Sequence, residues 1–188
     1  MTASRRALLL GVTALAGSAA FLHATAAHAA SASEIKGAAH QALEMLYRQQ
    51  PHTRELGKSA VAVLVFPKIY KGGIIIGGQT GDGALLVHGA AEAFYNISAA
   101  SFGLQLGGQT FAYALFFMNE KSLDYLRKSD GWAIGSGPSV VVMDQGKAAE
   151  LTSTTLTQDV YAFPFGQKGL MAGLSIEGSK ITRIHPGQ

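Results

Sequence analysis

The 188-residue chain has no cysteine. That excludes a disulfide framework and a lipid-modified N-terminal cysteine. It also has no run of basic residues and no nucleic-acid-binding motif, which argues against nucleic acid as a partner. Beyond residue 30 the histidines are His40, His52, His88 and His185, and their spacing is not that of a metal site. There is no G-x-S-x-G nucleophile elbow, and Gly135-Ser136-Gly137-Pro138-Ser139 also lacks the strand–turn–helix context of one. Asp82, Asp130, Asp144 and Asp159 each neighbour a turn or an element end, where aspartate is expected on backbone grounds. Asp82 does not open a calcium loop. Catalysis is therefore the minority reading, its weak form a hydrolase around Asp130 and His88. No cofactor and no metal is expected.

The first thirty residues read as an export signal. Arg5 and Arg6 form a basic start, residues 7–22 an apolar stretch, and Ala27-His28-Ala29 a cleavage site. Ser4-Arg5-Arg6-Ala7-Leu8-Leu9 also resembles a twin-arginine signal. The expected mature protein is one domain, residues 31–188, periplasmic or secreted. Its charge is uneven. Residues 31–71 carry six Lys/Arg against three Asp/Glu, residues 82–159 four against eight, and residues 160–188 three against one. Two basic ends around an acidic middle suit a surface that meets anions on one side.

What is abundant is glycine, and it repeats in context. Gly-Gly-Gln-Thr occurs at 77–80 and again at 107–110, inside IIIGGQTGDGALLV (74–87) and LQLGGQTFAYALFF (104–117). A weaker copy, LSIEGSKI (174–181), places Gly178 at the equivalent position. Glycine inside strands marks bulges, bends or close backbone approach. Gly78, Gly108 and Gly178 are expected at kinks, two of them at positive φ, with Gly108→Val costing a few kcal/mol. The expected fold is α+β: one mainly antiparallel, glycine-kinked, curved or barrel-like sheet, with an N-terminal helix and a short central helix.

Ser33 can cap the first helix, running to about Gln49, with Ile35, Ala38, Ala39, Ala42, Leu43 and Leu46 on one stripe. Pro51 ends it. The stripe either packs on the sheet, which is favoured, or lies on a membrane. Strands are expected at 61–66, on both sides of a tight turn at Gly81-Asp82-Gly83, and at 93–100, 102–106 and 111–118. Asn119 should cap a helix over 120–128, ended by Gly131. Further strands are expected at 132–134, 139–143, 160–165, 170–176 and 180–184, with a turn around Asp144. Pro67 is expected to close the first strand, leaving Lys68 to Gly73 as a basic turn. Lys68 and Lys71 beside Gly72-Gly73, and Lys168 between Gly166 and Gly169, could hold a phosphate.

Taken in order, these segments resemble the SYLF domain family, also described as an actin-patch or lipid-binding family. The resemblance is carried by Val65-Phe66-Pro67-Lys68, residues 72–85, Phe94-Tyr95-Asn96 and residues 101–105. It continues through Gly107-Gly108-Gln109-Thr110, residues 114–118, Ser129-Asp130-Gly131-Trp132, residues 135–142, 159–163 and 167–173, and closes on residues 178–184. It implies a non-enzymatic module that binds anionic phospholipid. In eukaryotic members it implies phosphoinositide binding through an N-terminal amphipathic helix and basic residues, with actin binding in some. Carried onto this chain, Lys68, Lys71 and Lys168 would take the headgroup. Ile35, Lys36, Leu43, Leu46 and Arg48 would be the helix positions that meet the membrane. The expected partner is an anionic phospholipid or membrane surface. The rival is a structural or adaptor protein binding another envelope protein through its sheet edges or strand faces.

Overall fold

A proline in a central strand removes a ladder hydrogen bond, so such a strand must either end there or bulge. Pro67 is in that position, and the strand bulges. The computed structural model describes residues 30–73, 76–102, 107–143, 156–169 and 178–187. Strand β1 runs through the proline, over Ala62–Gly73. It lies between β2 (Ile76–Val87) and β4 (Gly107–Phe117). Neither Pro67 nor Lys68 has a cross-strand partner. Val65 pairs with Ala84 and Tyr70 with Thr80, so β1 spends five steps where β2 spends four. The expected basic turn at Lys68 to Gly73 is therefore strand.

The bulge reverses the facing of every later residue in β1. Leu64, Phe66 and then Ile69 share one core, while Val63 and Val65 belong to the other. Across the bulge the β2 backbone lies so close that side chains do not fit. A Cβ on Gly81 would be 2.5 Å from the Lys68 carbonyl oxygen, and one on Gly83 would overlap the Val65 carbonyl and sit 2.6 Å from the Phe66 ring. The expected turn at Gly81 to Gly83 is thus wrong, because those glycines serve a close approach. The turn is His88-Gly89, both at positive φ (48° and 79°), the hairpin geometry that matches strand twist.

The remaining elements are β3 (Ala90–Phe102), β5 (Trp132–Ala133), β6 (Val140–Val142), β7 (Val160–Gly169) and β8 (Lys180–Ile184). The sheet order is β5-β8-β3-β2-β1-β4-β7-β6, antiparallel except for β6 beside β7. The sheet is strongly curled, a half-barrel, as the expected fold class required. The curl shows in side chains. Trp132 of β5 and Phe117 of β4 stand five places apart in the sheet, yet their rings are 6.0 Å apart. The face bearing Leu64, Phe66, Ile69, Phe111, Tyr113 and Trp132 is therefore the inner one.

Helix α1 (Ala32–Gln49) covers the outer face, and α2 (His52–Ser59) follows it. Ser31, not Ser33, caps α1. The Glu34 N–H donates to the Ser31 hydroxyl, while the Ser31 N–H donates to the Glu34 carboxylate, a reciprocal box that Ser33 cannot form with Lys36 three residues on. Pro51 ends α1 but also begins α2, its φ of −56° already helical. Sequence reading missed α2 because its buried positions are only Thr53 and Leu56. Helix α3 (Glu120–Lys128) is capped by Asn119, as expected, and ends at Ser129 rather than Gly131. Residues 1–29, 103–106 and 170–176 and the turn around Asp144, where other expected features fall, lie outside the described residues.

Asp159 ties α3 to the sheet. Its carboxylate accepts from the Ser139 N–H (2.9 Å), the Asn119 amide (2.9 Å) and the Ser139 hydroxyl (3.0 Å). These donors, the Ser139 N–H first, hold its pKa below the ordinary value. A depressed folded pKa gives stability that is complete above the unfolded value near 3.9 and lost as pH falls through the folded one. Asp159→Asn should destabilise the protein at pH 7 and flatten the acid limb of its stability–pH curve below about pH 4.

Gly78 and Gly108 correct another expectation. Neither has positive φ, and a Cβ would meet only Ala99 O at 3.4 Å or Lys71 O at 4.0 Å; Gly178 alone of the three has positive φ (75°). In urea unfolding, Gly81→Ala or Gly83→Ala should cost roughly 1–3 kcal/mol by overpacking. Gly108→Ala should be neutral or stabilise by up to about 1 kcal/mol.

Candidate functional site at the glycine end of the sheet

The repeated tetrapeptides flank β1 in one register. Thr80, Tyr70 and Thr110 form a row, then Gln79, Lys71 and Gln109, then Gly78, Gly72 and Gly108, then Gly77, Gly73 and Gly107. Six glycines thus end three adjacent strands. The rows alternate in facing, as pleating requires. The threonine–tyrosine row lies on the outer face, and the glutamine–lysine row on the inner.

The outer row extends further. Ser98 pairs with Thr80 and Lys180 with Ser98; on the other side Lys168 pairs with Thr110. Six strands therefore present Lys180, Ser98, Thr80, Tyr70, Thr110 and Lys168 across about 24 Å at normal strand spacing. Tyr70 at the centre is 55% exposed, and the Lys68 ammonium stands 4.7 Å from its ring centroid. Lys68, Lys168 and Lys180 are exposed. Beside this row a groove of about 350 Å³ runs under the first turns of α1, between Ile35 and Ala38 on the helix and Pro67, Tyr70 and Asp82 on the sheet.

Lys71 stands apart from its neighbours in sequence. The bulge turns it inward, half-buried between Gln79 and Gln109, which are 7% and 3% exposed. The Gln79 amide donates to the buried Ser179 hydroxyl at 2.9 Å, whereas Gln109 Oε1 has no partner. Deeper on the same face, the Tyr95 and Tyr113 hydroxyls are also buried without partners. Burial raises the pKa of both phenols.

The paired cations all lie on α2 and α3. Arg127 holds Glu92 through two bonds of 2.7 and 2.9 Å, Lys128 holds Asp124, Arg54 holds Glu44, and Lys58 holds Glu55. Among the described residues Lys36, Arg48, Lys68, Lys71, Lys121, Lys168, Lys180 and Arg183 make no ion pair. A wider cleft of about 600 Å³ along α3 is lined by Lys121, Asp124, Tyr125 and Lys128, and there the Lys128 charge is already met by Asp124.

Lys68 and Lys168 are brought to one face, and Lys71 to the opposite face at the same end. The helix positions divide. Lys36 and Arg48 are exposed, but Ile35 (4% exposed) and Leu46 (0%) are packed against the sheet, and Leu43 is half-buried. The α1 stripe is thus used by the core, and with α1 docked Ile35 and Leu46 cannot meet acyl chains. Tyr70 was not singled out by sequence reading; an aromatic beside a supposed turn gave no sign that a bulge would turn it outward. Asp130 and His88 are both exposed, with no hydrogen bond between them. No cluster of three or more His, Cys, Asp or Glu among the described residues could hold a metal ion. No helix among them is long and apolar enough to cross a membrane.

Residues 98–185 match the family model Ysc84, described as Las17-binding protein actin regulator. The chain carries a SYLF domain match there, in agreement with the resemblance read from its sequence. The family is associated with lipid binding and with actin-patch proteins. No curated protein matches the chain. The matched segment supplies strands on both flanks of the sheet, while the β1–β2 hairpin that joins them lies outside it. The folded unit must therefore begin before residue 98.

Replacing Leu46 with Ala should cost about 2–5 kcal/mol in chemical denaturation, as for other fully buried leucines. Lys36→Gln and Arg48→Gln should each change stability by less than about 0.5 kcal/mol.

Proposed function

We propose that this protein is a non-enzymatic module that binds anionic phospholipid, docking the glycine end of its sheet on an envelope membrane after export. The observation that carries this reading is the set of lysines at that end, Lys68, Lys71, Lys168 and Lys180, none with a carboxylate partner, whereas the paired cations Arg54, Lys58, Arg127 and Lys128 all lie on α2 and α3. An exposed tyrosine among lysines suits the membrane interface, where its ring is half-immersed and its hydroxyl stays wet. Each lysine near an anionic surface contributes about 1 kcal/mol. The α1 stripe has no part in this reading except as the packing that holds the sheet's outer face.

An adaptor that pairs with another envelope protein through its sheet edges is the less favoured reading. The outermost strands, β5 and β6, are two and three residues long, which leaves little ladder for strand addition.

Mature protein should co-sediment with vesicles containing phosphatidylglycerol or cardiolipin and only weakly with neutral ones, and salt should weaken the binding. The double change Lys68→Gln and Lys168→Gln should lower affinity roughly tenfold or more, with stability altered by less than about 0.5 kcal/mol. Equal binding to neutral and anionic vesicles would remove the charge-based mechanism.

A further inference from the structure

The inner face at the glycine end holds a second arrangement, distinct from the outer lysines. Resting on the membrane reading above, we infer that Lys71, Gln79 and Gln109 form a headgroup pocket selective for a phosphodiester that also carries a hydrogen-bond donor, phosphoglycerol being the simplest. Lys71 is half-buried and has neither an ion-pair nor a hydrogen-bond partner among the described residues. Its cross-strand neighbours on both sides are buried carboxamides. One of them is pinned, since the Gln79 amide donates to Ser179. The other is not, since Gln109 is 3% exposed and its carbonyl oxygen is unpartnered. Beyond this row the described residues of β1, β2 and β4 on the same face are Gly73, Gly77 and Gly107, so no described side chain from these three strands stands between the row and the strand ends.

The donor set defines the ligand. An ammonium takes an anionic oxygen, whereas an amide carbonyl repels that oxygen and takes an O–H or N–H. A diester without a donor would satisfy Lys71 and leave Gln109 Oε1 as it is. A phosphoglycerol headgroup satisfies both, its phosphate on Lys71 and a glycerol hydroxyl on Gln109. A site built to hydrogen-bond a hydroxyl discriminates strongly against an analogue lacking it, because its own buried group is otherwise left unpaired. The same chemistry could come from a lipid or from a soluble glycerophosphodiester.

The full chain is titrated with glycerophosphoglycerol and, separately, with dimethyl phosphate, which has the diester but no donor. The Gln109 side-chain amide is followed by NMR, and phosphatidylglycerol vesicles are added in a competition arm. Glycerophosphoglycerol should shift the Gln109 signals and bind at least tenfold more tightly than dimethyl phosphate. Gln109→Leu should erase that difference, Lys71→Gln should weaken both ligands, and Lys68→Gln with Lys168→Gln should affect neither. Displacement of the soluble diester by vesicles identifies the lipid as the source. Equal affinity for the two diesters, or no Gln109 shift with either, overturns the pocket, and the parent protein alone decides this if a variant fails to fold. Vesicle binding without a Gln109 shift removes the pocket and leaves the outer lysine surface standing. Soluble-diester binding without vesicle binding keeps the pocket and removes the membrane surface.

Discussion

The bulge at Pro67 and Lys68 is the constraint on which the rest of the sheet depends. A proline in a strand with neighbours on both sides cannot supply its ladder hydrogen bond, so one residue is looped out. The extra residue brings β1 against β2 so closely that Gly81 and Gly83 can carry no side chain. It also reverses facing, sending Ile69 and Lys71 inward and Tyr70 outward. A second one-residue bulge in β7, with Gly166 at φ 63°, lies across β4 from the first. Bulges increase local twist, and together these two help bend the sheet until Trp132 meets Phe117 across the curl.

The division of labour between the two ends of the sheet follows from this geometry. Toward the α3 end, side chains are large and interlocked, and Arg127 is bonded to Glu92 and Asp159 to Ser139 and Asn119. Toward the other end the side chains shrink to glycine, and the remaining large groups are lysines without carboxylates and an exposed tyrosine. Core packing asks nothing of such residues. A surface of opposite charge does, and the inner row of Lys71 with its two glutamines offers hydrogen bonds that a flat electrostatic contact would leave unused.

The sequence made the fold class and much of the strand content legible, for identifiable reasons. Asn119 followed by a polar amphipathic segment defined α3, and alternating apolar residues defined β8. The family resemblance was legible in the ordered glycine and aromatic motifs. What misled was glycine and proline taken as punctuation. A local window reads Pro67 as a stop and Gly81 to Gly83 as a turn, yet these residues oppose each other in the middle of paired strands. That relation is long-range and invisible in a local window. The site follows the same pattern: sequence proximity groups Lys68 and Lys71 in one turn, but the bulge places them on different surfaces and turns Tyr70 outward. The α1 stripe was favoured as a packing surface, and Leu46 at 0% exposure is the finding that decides it.

The central claim is that the glycine end of the sheet, rather than α1 or the α3 face, is the surface that meets the membrane. Hydrogen–deuterium exchange of the full chain, with and without phosphatidylglycerol vesicles, tests it most directly. The account predicts added protection in the paired segments 70–73, 77–80 and 107–110, with α1 and α3 exchanging as in the free protein. Protection confined to α1, or faster exchange there as the helix leaves the sheet, would contradict it.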